Sequence, residues 1–239
     1  MIPIRDYLPT RRRPIITTSL ILLSTLVYLW QLRRGEHGFV HLVYGLGLTP
    51  AVLRGDAELA PELVLVPAWL TPLTSMFLHG SLLHLAGNML YLWIFGNNVE
   101  DRLGHGAFLL FYLAAGLAAA ALHTALNPTS RIPLVGASGA ISGVLAAYLV
   151  FFPTARVLVV FPIFLLLTLT VPASLMLGVW FLLQLLSALG EDGQGGGVAW
   201  WAHVGGFTTG LVLALVVRVR ERTPAPSPRK RRPGPWDRL

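Results

Sequence analysis

Two polar residues in an otherwise apolar chain are of types that could together carry out acyl transfer. Ser138 lies in a Gly-Ala-Ser-Gly sequence at positions 136–139, and His203 lies in an Ala-His-Val-Gly-Gly sequence at positions 202–206. A serine hydroxyl becomes an effective nucleophile when an adjacent histidine accepts its proton. Ser138 is therefore a candidate nucleophile and His203 a candidate general base.

His84 and Asn88 form a second pair with chemical potential. They are one helical turn apart, so both side chains lie on one face of a helix. Both can donate hydrogen bonds, and the oxyanion of a tetrahedral intermediate is stabilised by donors that already point at it. The pair could therefore form an oxyanion hole, or instead an interhelical hydrogen-bond network that holds the helices together.

Structural interpretations exist for the first two residues as well. Small residues such as Ser138 and its glycine neighbours also let membrane helices pack closely, and a single buried histidine such as His203 is often structural. The spacing of the glycines favours a specific contact, because Gly206 and Gly210 could pack against Gly139 and Gly143. That contact would bring His203 close to Ser138.

Metal and cofactor chemistry find little support in the sequence. The chain has no cysteine, and no aspartate or glutamate falls within the predicted helices beside Ser138 or His203. His79 and His84 would point about 140° apart on a helix, which is poor geometry for chelation. We therefore expect no metal, and a Ser–His dyad in place of a triad.

The composition indicates a membrane protein built around these residues. The 239 residues are 54% hydrophobic and 12% charged, whereas a soluble domain usually carries about 25% charged residues. The apolar stretches are long enough to cross a bilayer. We predict an all-α, polytopic bundle of six transmembrane helices near residues 15–32, 82–99, 107–126, 138–152, 172–189 and 200–217.

Charge predicts the orientation of this bundle. Six spans place both termini on one side, and a cytoplasmic location for both follows the positive-inside rule. The second, fourth and sixth helices then begin at the outer face, where they carry the four candidate residues. The apolar stretch 156–171 would have to be an interfacial connector, because a seventh span would export one basic terminus.

Three regions follow from this topology. Residues 1–14 form a cytoplasmic N-terminal segment, 15–218 the membrane domain, and 219–239 a basic, proline-rich cytoplasmic tail. The net charge of +7 is concentrated at the two ends. A tail of this composition is typical of a disordered segment near anionic lipid, so we expect no nucleic-acid partner.

Taken together, the motifs resemble the rhomboid family. The segment 77–89 is similar to the family's second-helix signature of two histidines and an asparagine, and 136–139 and 202–207 are similar to its nucleophile and sixth-helix motifs. The resemblance covers about residues 73–210. It implies an intramembrane serine endopeptidase in which Ser138 is the nucleophile and His203 the base.

The same resemblance implies further roles and partners. His84, Asn88 and the Ser138 backbone N–H would form the oxyanion hole, whereas His79, bonding within the first outer loop, and Glu100 would be structural. Substrates would be single-pass transmembrane proteins, cut near their outer ends without metal or cofactor. Separately from the resemblance, we expect the chain to lie in the inner cell membrane.

Two features depart from the family pattern. Trp69 is followed by Leu and Thr where many members have an arginine, and Ser142 stands where some members have an aromatic ring against the catalytic histidine. The second departure predicts a less tightly held His203.

Two other functions stay open. One is a non-proteolytic membrane chaperone or trafficking factor with the same fold, and the other is a transporter. The retention of both Ser138 and His203 argues against the first, and the clustering of polar residues near one face argues against the second. The sequence does not indicate an oligomeric state.

Overall fold

The computed structural model describes residues 1–161, 167–190 and 197–222, with side chains up to residue 220, and most of this part is helical. Its α-helices are α1 Ile15–Arg33, α2 Gly35–Leu46, α3 Pro50–Leu53, α4 Thr71–Thr74, α5 Leu82–Tyr91, α6 Asn97–Leu103, α7 His105–Leu126, α8 Ser138–Phe151, α9 Ala173–Leu189 and α10 Trp200–Arg222. One π-helical stretch, Leu92–Gly96, joins α5 to α6, and short 3-10 turns lie at Pro61–Leu63, Ala68–Leu70 and Ser75–Phe77.

Helices occur at all six predicted positions. Three of them, α1, α7 and α10, are long and apolar enough to cross a membrane, and α5–α6 with the bent segment before it would make a fourth. The remaining two, α8 and α9, have 14 and 17 residues. The chain is a mostly helical, multi-pass membrane protein, and the number of six crossings stays a prediction.

Small residues hold the centre of the bundle together, where α8 packs against α7 and α10. A Cβ atom added to Gly206 would lie 1.8 Å from the carbonyl oxygen of Gly139, and one added to Gly210 would lie 2.3 Å from that of Gly143. The predicted glycine contact is confirmed. Because successive pairs meet in the same order, α8 and α10 run in the same direction and begin at the same end of the bundle.

The predicted connector between α8 and α9 is a β-hairpin of strands β2 Arg156–Phe161 and β3 Leu167–Pro172. Arg156 pairs with Pro172, so the two ends of the hairpin meet. Strands of six residues are shorter than the ~9–11 residues that a membrane-crossing strand needs. The segment therefore returns the chain to the end of the bundle at which α8 finishes.

The N-terminal segment completes this sheet, which the sequence did not predict. Strand β1, Ile2–Asp6, pairs antiparallel with β2, giving the order β1-β2-β3. The side chain of Asp6 accepts hydrogen bonds from Tyr148 Oη at 2.6 Å and from Asn98 Nδ2 at 2.7 Å. These bonds connect the sheet to α8 and α6.

Glu100 ties α6 to the beginning of α1. Its buried carboxylate accepts hydrogen bonds from the backbone N–H groups of Ile16 and Thr17, both at 2.8 Å, and from the Thr17 hydroxyl at 2.6 Å. The first N–H groups of a helix have no intrahelical partner, so a carboxylate placed there satisfies them and complements the helix dipole. These contacts agree with the structural role expected for Glu100.

Two predicted features lie wholly or mainly outside the described residues. The first is segment 190–197, whose five glycines predict that the fifth transmembrane helix and its loop could move as a gate; residues 191–196 are not described. The predicted tail 219–239 is described only to residue 222, and up to that point it continues α10.

Candidate active site

A cavity of about 600 Å³ opens among the first turns of α5, α8 and α10. It is lined by all four candidate residues together with two residues of α9: His84, Asn88, Ser138, His203, Trp180 and Gln184. The sequence predicted that the second, fourth and sixth spans, which begin with α5, α8 and α10, would carry their polar residues at the same depth in the membrane. The structure brings those residues to one space.

Ser138 is the first residue of α8 and is partly exposed to this cavity. The chain enters the helix through Gly136, whose φ of +122° is a conformation that L-residues with a side chain rarely adopt. The Gly136 N–H donates to the carbonyl of Ser75 at 2.9 Å, which fixes the turn. Ser138 thus lies where unpaired N–H groups and the positive end of a helix dipole favour an anion.

His84 and Asn88 lie beside the backbone that leads to Ser138. A Cβ atom added to Gly136 would be 2.7 Å from the His84 ring and 3.6 Å from Asn88 Nδ2. Asn88 Nδ2 is buried and has no hydrogen-bond partner within the part of the chain that the structure describes, although buried amides are almost always paired. An unpaired donor beside a candidate nucleophile is the arrangement that an oxyanion hole requires.

His203 is buried and is held from α9. Its Nδ1 lies 2.7 Å from Oε1 of Gln184, and its ring lies 6.0 Å from that of Trp180, tilted by 32°. On α10 itself, Trp200 approaches the ring edge-on at 6.1 Å. Ser142, noted in the sequence as a departure, instead donates its hydroxyl to the Ser138 carbonyl at 2.7 Å. These contacts restrain His203 without an aromatic residue on α8.

Ser138 and His203 face the same cavity from adjacent helices. Within the described part of the chain, no hydrogen bond links the Ser138 hydroxyl to His203. Catalytic hydrogen bonds are often long in ligand-free enzymes and shorten when substrate binds. The nucleophile–base pairing is supported by the helix packing and stays a prediction.

His79 is buried next to the site, in the loop that precedes α5. Its backbone N–H donates to Gln31 Oε1 on α1 at 3.1 Å, while its ring lies edge-on to His84 at 5.2 Å between centroids. Among the described residues the Phe77 backbone, in the same loop, interacts with the His79 ring, and no side chain forms a hydrogen bond with it. The residue therefore positions His84 by packing and links the loop to α1 through its backbone.

Sequence reasoning missed several polar or aromatic residues that line the cavity. Among them are His123, Asn127, Trp180 and Gln184, which lie on or next to α7 and α9. Attention to polar residues within apolar helices would have found His123 and Gln184, because the same signal singled out His203. Among the described residues, no group of three or more histidine, aspartate or glutamate side chains is placed to hold a metal ion.

Comparison with known proteins gives a consistent result. Residues 67–220, more than half of the chain, match the family model described as "Rhomboid domain". The rhomboid protease GluP of Bacillus subtilis is 46% identical over 81 residues, which cover 34% of this chain and 15% of that protein. The mitochondrial presenilin-associated rhomboid-like protein of Bos taurus is 40% identical over 91 residues, covering 37% of this chain and 24% of that protein. The chain therefore spans only a small part of the curated relatives that it matches.

Proposed function

The chain belongs to the rhomboid family, and we propose that it is an intramembrane serine endopeptidase that cuts transmembrane proteins near the outer face of the membrane. The observation that supports this most is the cavity shared by Ser138 and His203, next to which the buried Asn88 Nδ2 has no partner among the described residues.

In the proposed reaction, His203 accepts the proton of the Ser138 hydroxyl as its oxygen attacks the scissile carbonyl carbon. The tetrahedral intermediate collapses when His203 protonates the leaving amine, which leaves an acyl group on Ser138. Water then attacks this ester by the reverse route and regenerates the free serine. The cavity gives such a water access to Ser138.

His84, Asn88 and the Ser138 backbone N–H are proposed to hold the oxyanion. Their value comes from preorganisation, because donors that already point at the developing charge need no rearrangement during the reaction. The loss of one such donor typically lowers turnover by about 10²–10³-fold. Any side chain at position 136 would collide with the His84 ring. Because residue 136 is glycine, the space beside His84 stays open for the substrate strand.

The proposed substrates are single-pass membrane proteins, and the bilayer is the other partner. We place the protein in the inner cell membrane with both termini in the cytoplasm, on the strength of the charge distribution. A reporter fused after residue 222 should therefore read cytoplasmic. A reporter at that position that reads external would contradict this orientation.

The test of the function is cleavage of a model single-span substrate in liposomes. Wild type should cleave it and Ser138→Ala should not, because the substitution removes the nucleophile and preserves a small side chain. Ser174→Ala, at the exposed far end of α9, is the matched serine control and should cleave like wild type. Cleavage by Ser138→Ala at the wild-type rate would remove the proposal and favour a non-proteolytic chaperone role.

A further inference from the structure

One contact of the candidate base lies outside the sequence motifs. Gln184 on α9 places its amide oxygen 2.7 Å from Nδ1 of His203 on α10. The exposed fractions of the two residues are only 8% and 9%, so water competes little for this bond. A buried hydrogen bond of this length is well made and costly to break.

The chemistry of the partner fixes where the histidine proton lies. With its amide oxygen placed towards the ring, Gln184 accepts this hydrogen bond and Nδ1 of His203 carries the hydrogen. A neutral imidazole with its proton on Nδ1 has its lone pair on Nε2. That nitrogen is then the one available to accept a proton from a serine hydroxyl.

Serine hydrolases commonly assign this task to a carboxylate, which holds the tautomer and stabilises the imidazolium that forms. None of the described residues lining this cavity is an aspartate or glutamate. We infer that Gln184 is the positioning residue of the candidate base, holding His203 in the tautomer with a free Nε2; the inference rests on the proposed proteolytic function. A neutral amide orients the ring but adds no charge, so it performs one of the two tasks of the carboxylate.

Neighbouring contacts keep Gln184 in this position. Trp180 lies one helical turn earlier on α9 and covers the same imidazole. The adjacent Phe181 stacks on Phe207 of α10, with centroids 4.1 Å apart and planes within 16°. Two aromatic contacts therefore set how α9 sits on α10 around the hydrogen bond.

The test measures the rate at which a fluorophosphonate labels Ser138, as a function of pH, in two variants of Gln184. Gln184→Met preserves the size but removes the acceptor, and should lower the rate by about 10- to 1000-fold. Gln184→Glu restores an acceptor and adds charge, so it should retain the rate to within about tenfold. In the pH profile of its labelling rate, the acidic limb, where the rate falls as His203 becomes protonated, should move to higher pH. The reason is that a carboxylate at position 184 favours the imidazolium.

Controls separate this effect from loss of structure. Leu183→Met changes the lipid-exposed neighbour on α9 and should label like wild type. Among the described residues, the other titratable groups that act electrostatically on His203 are His84 and His123, and both are unchanged in every variant. A shift of the acidic limb therefore reports on residue 184 and not on general packing.

The outcomes distinguish the inference from the function on which it rests. Wild-type protein that is not labelled at Ser138 would overturn the proposed function and this inference with it. Wild-type labelling with an equal rate and pH profile in Gln184→Met would overturn the inference alone. Equal losses in the methionine and glutamate variants, without a shift of the acidic limb, would also overturn it, since a merely structural role predicts that pattern.

Discussion

Gly206 on α10 packs directly against the backbone of Gly139 on α8, one residue after Ser138. A Cβ atom at position 206 would lie 1.8 Å from the Gly139 carbonyl oxygen, a distance that no real side chain tolerates. The contact sets the spacing between the helices that carry the candidate nucleophile and base. Backbone atoms on both sides leave no flexible side chain to yield.

Gly206→Ala should therefore separate α8 from α10 and impair both stability and activity. Overpacking of this kind typically costs about 1–3 kcal/mol of the free energy of unfolding. Gly178→Ala is the matched control on α9, because a Cβ atom there meets nothing within 4 Å. The midpoint temperature of thermal unfolding and the rate of substrate cleavage should both be lower in Gly206→Ala and unchanged in Gly178→Ala. Full activity in Gly206→Ala would show that the helix spacing does not determine the site.

Asn88→Leu should lower kcat by about 10²–10³-fold while KM changes little, because it removes a donor that acts on the transition state and introduces no charge. The shape of the side chain is nearly preserved, so a packing role predicts a much smaller loss. The measurement is the full rate dependence on substrate concentration in liposomes, with the thermal midpoint recorded alongside. An unchanged kcat with a lower midpoint would identify Asn88 as a structural residue.

Asp6 should make stability depend on pH in an unusual direction. Burial raises the pKa of this carboxyl above its ordinary value of 3.8, although the hydrogen bond from Tyr148 opposes the shift. A raised pKa means that the folded state retains the proton more readily than the unfolded state. The contribution of Asp6 is thus greatest below the unfolded pKa and is lost as pH rises through the folded pKa.

This reasoning predicts how Asp6→Asn compares with wild type. The stability of wild type relative to the variant should fall as pH rises from about 3.5 through the folded pKa, and then level off. Thermal unfolding in detergent over this range measures the difference. A wild-type advantage that grows with pH would show that the ionised carboxylate is the stabilising form.

The sequence predicted the helical part of the fold better than the rest, for identifiable reasons. The beginnings of α8 and α10 were predictable because Gly139, Gly143, Gly206 and Gly210 repeat at the spacing that close helix packing requires. The sheet was not, since an apolar run such as Arg156–Phe161 fits a strand or a buried helix equally well. Its partner β1 is short and gains its pairing only from contacts distant in the sequence.

The candidate site was likewise only partly predictable from the sequence. His84, Asn88, Ser138 and His203 stand out as polar residues within apolar helices that carry recognisable motifs. Gln184 carries no motif, and its role depends on a contact between α9 and α10 that no local pattern encodes. The prediction that His203 would be less tightly held followed from Ser142 alone and did not consider residues on a different helix.

The central claim is that Ser138 is a nucleophile activated by His203, and mass-spectrometric mapping of a fluorophosphonate adduct tests it most directly. The claim predicts one adduct, on Ser138, in the folded wild-type protein, and none in His203→Ala that retains the wild-type thermal midpoint. Absence of an adduct on Ser138 in wild type, or full labelling of Ser138 without His203, would contradict it.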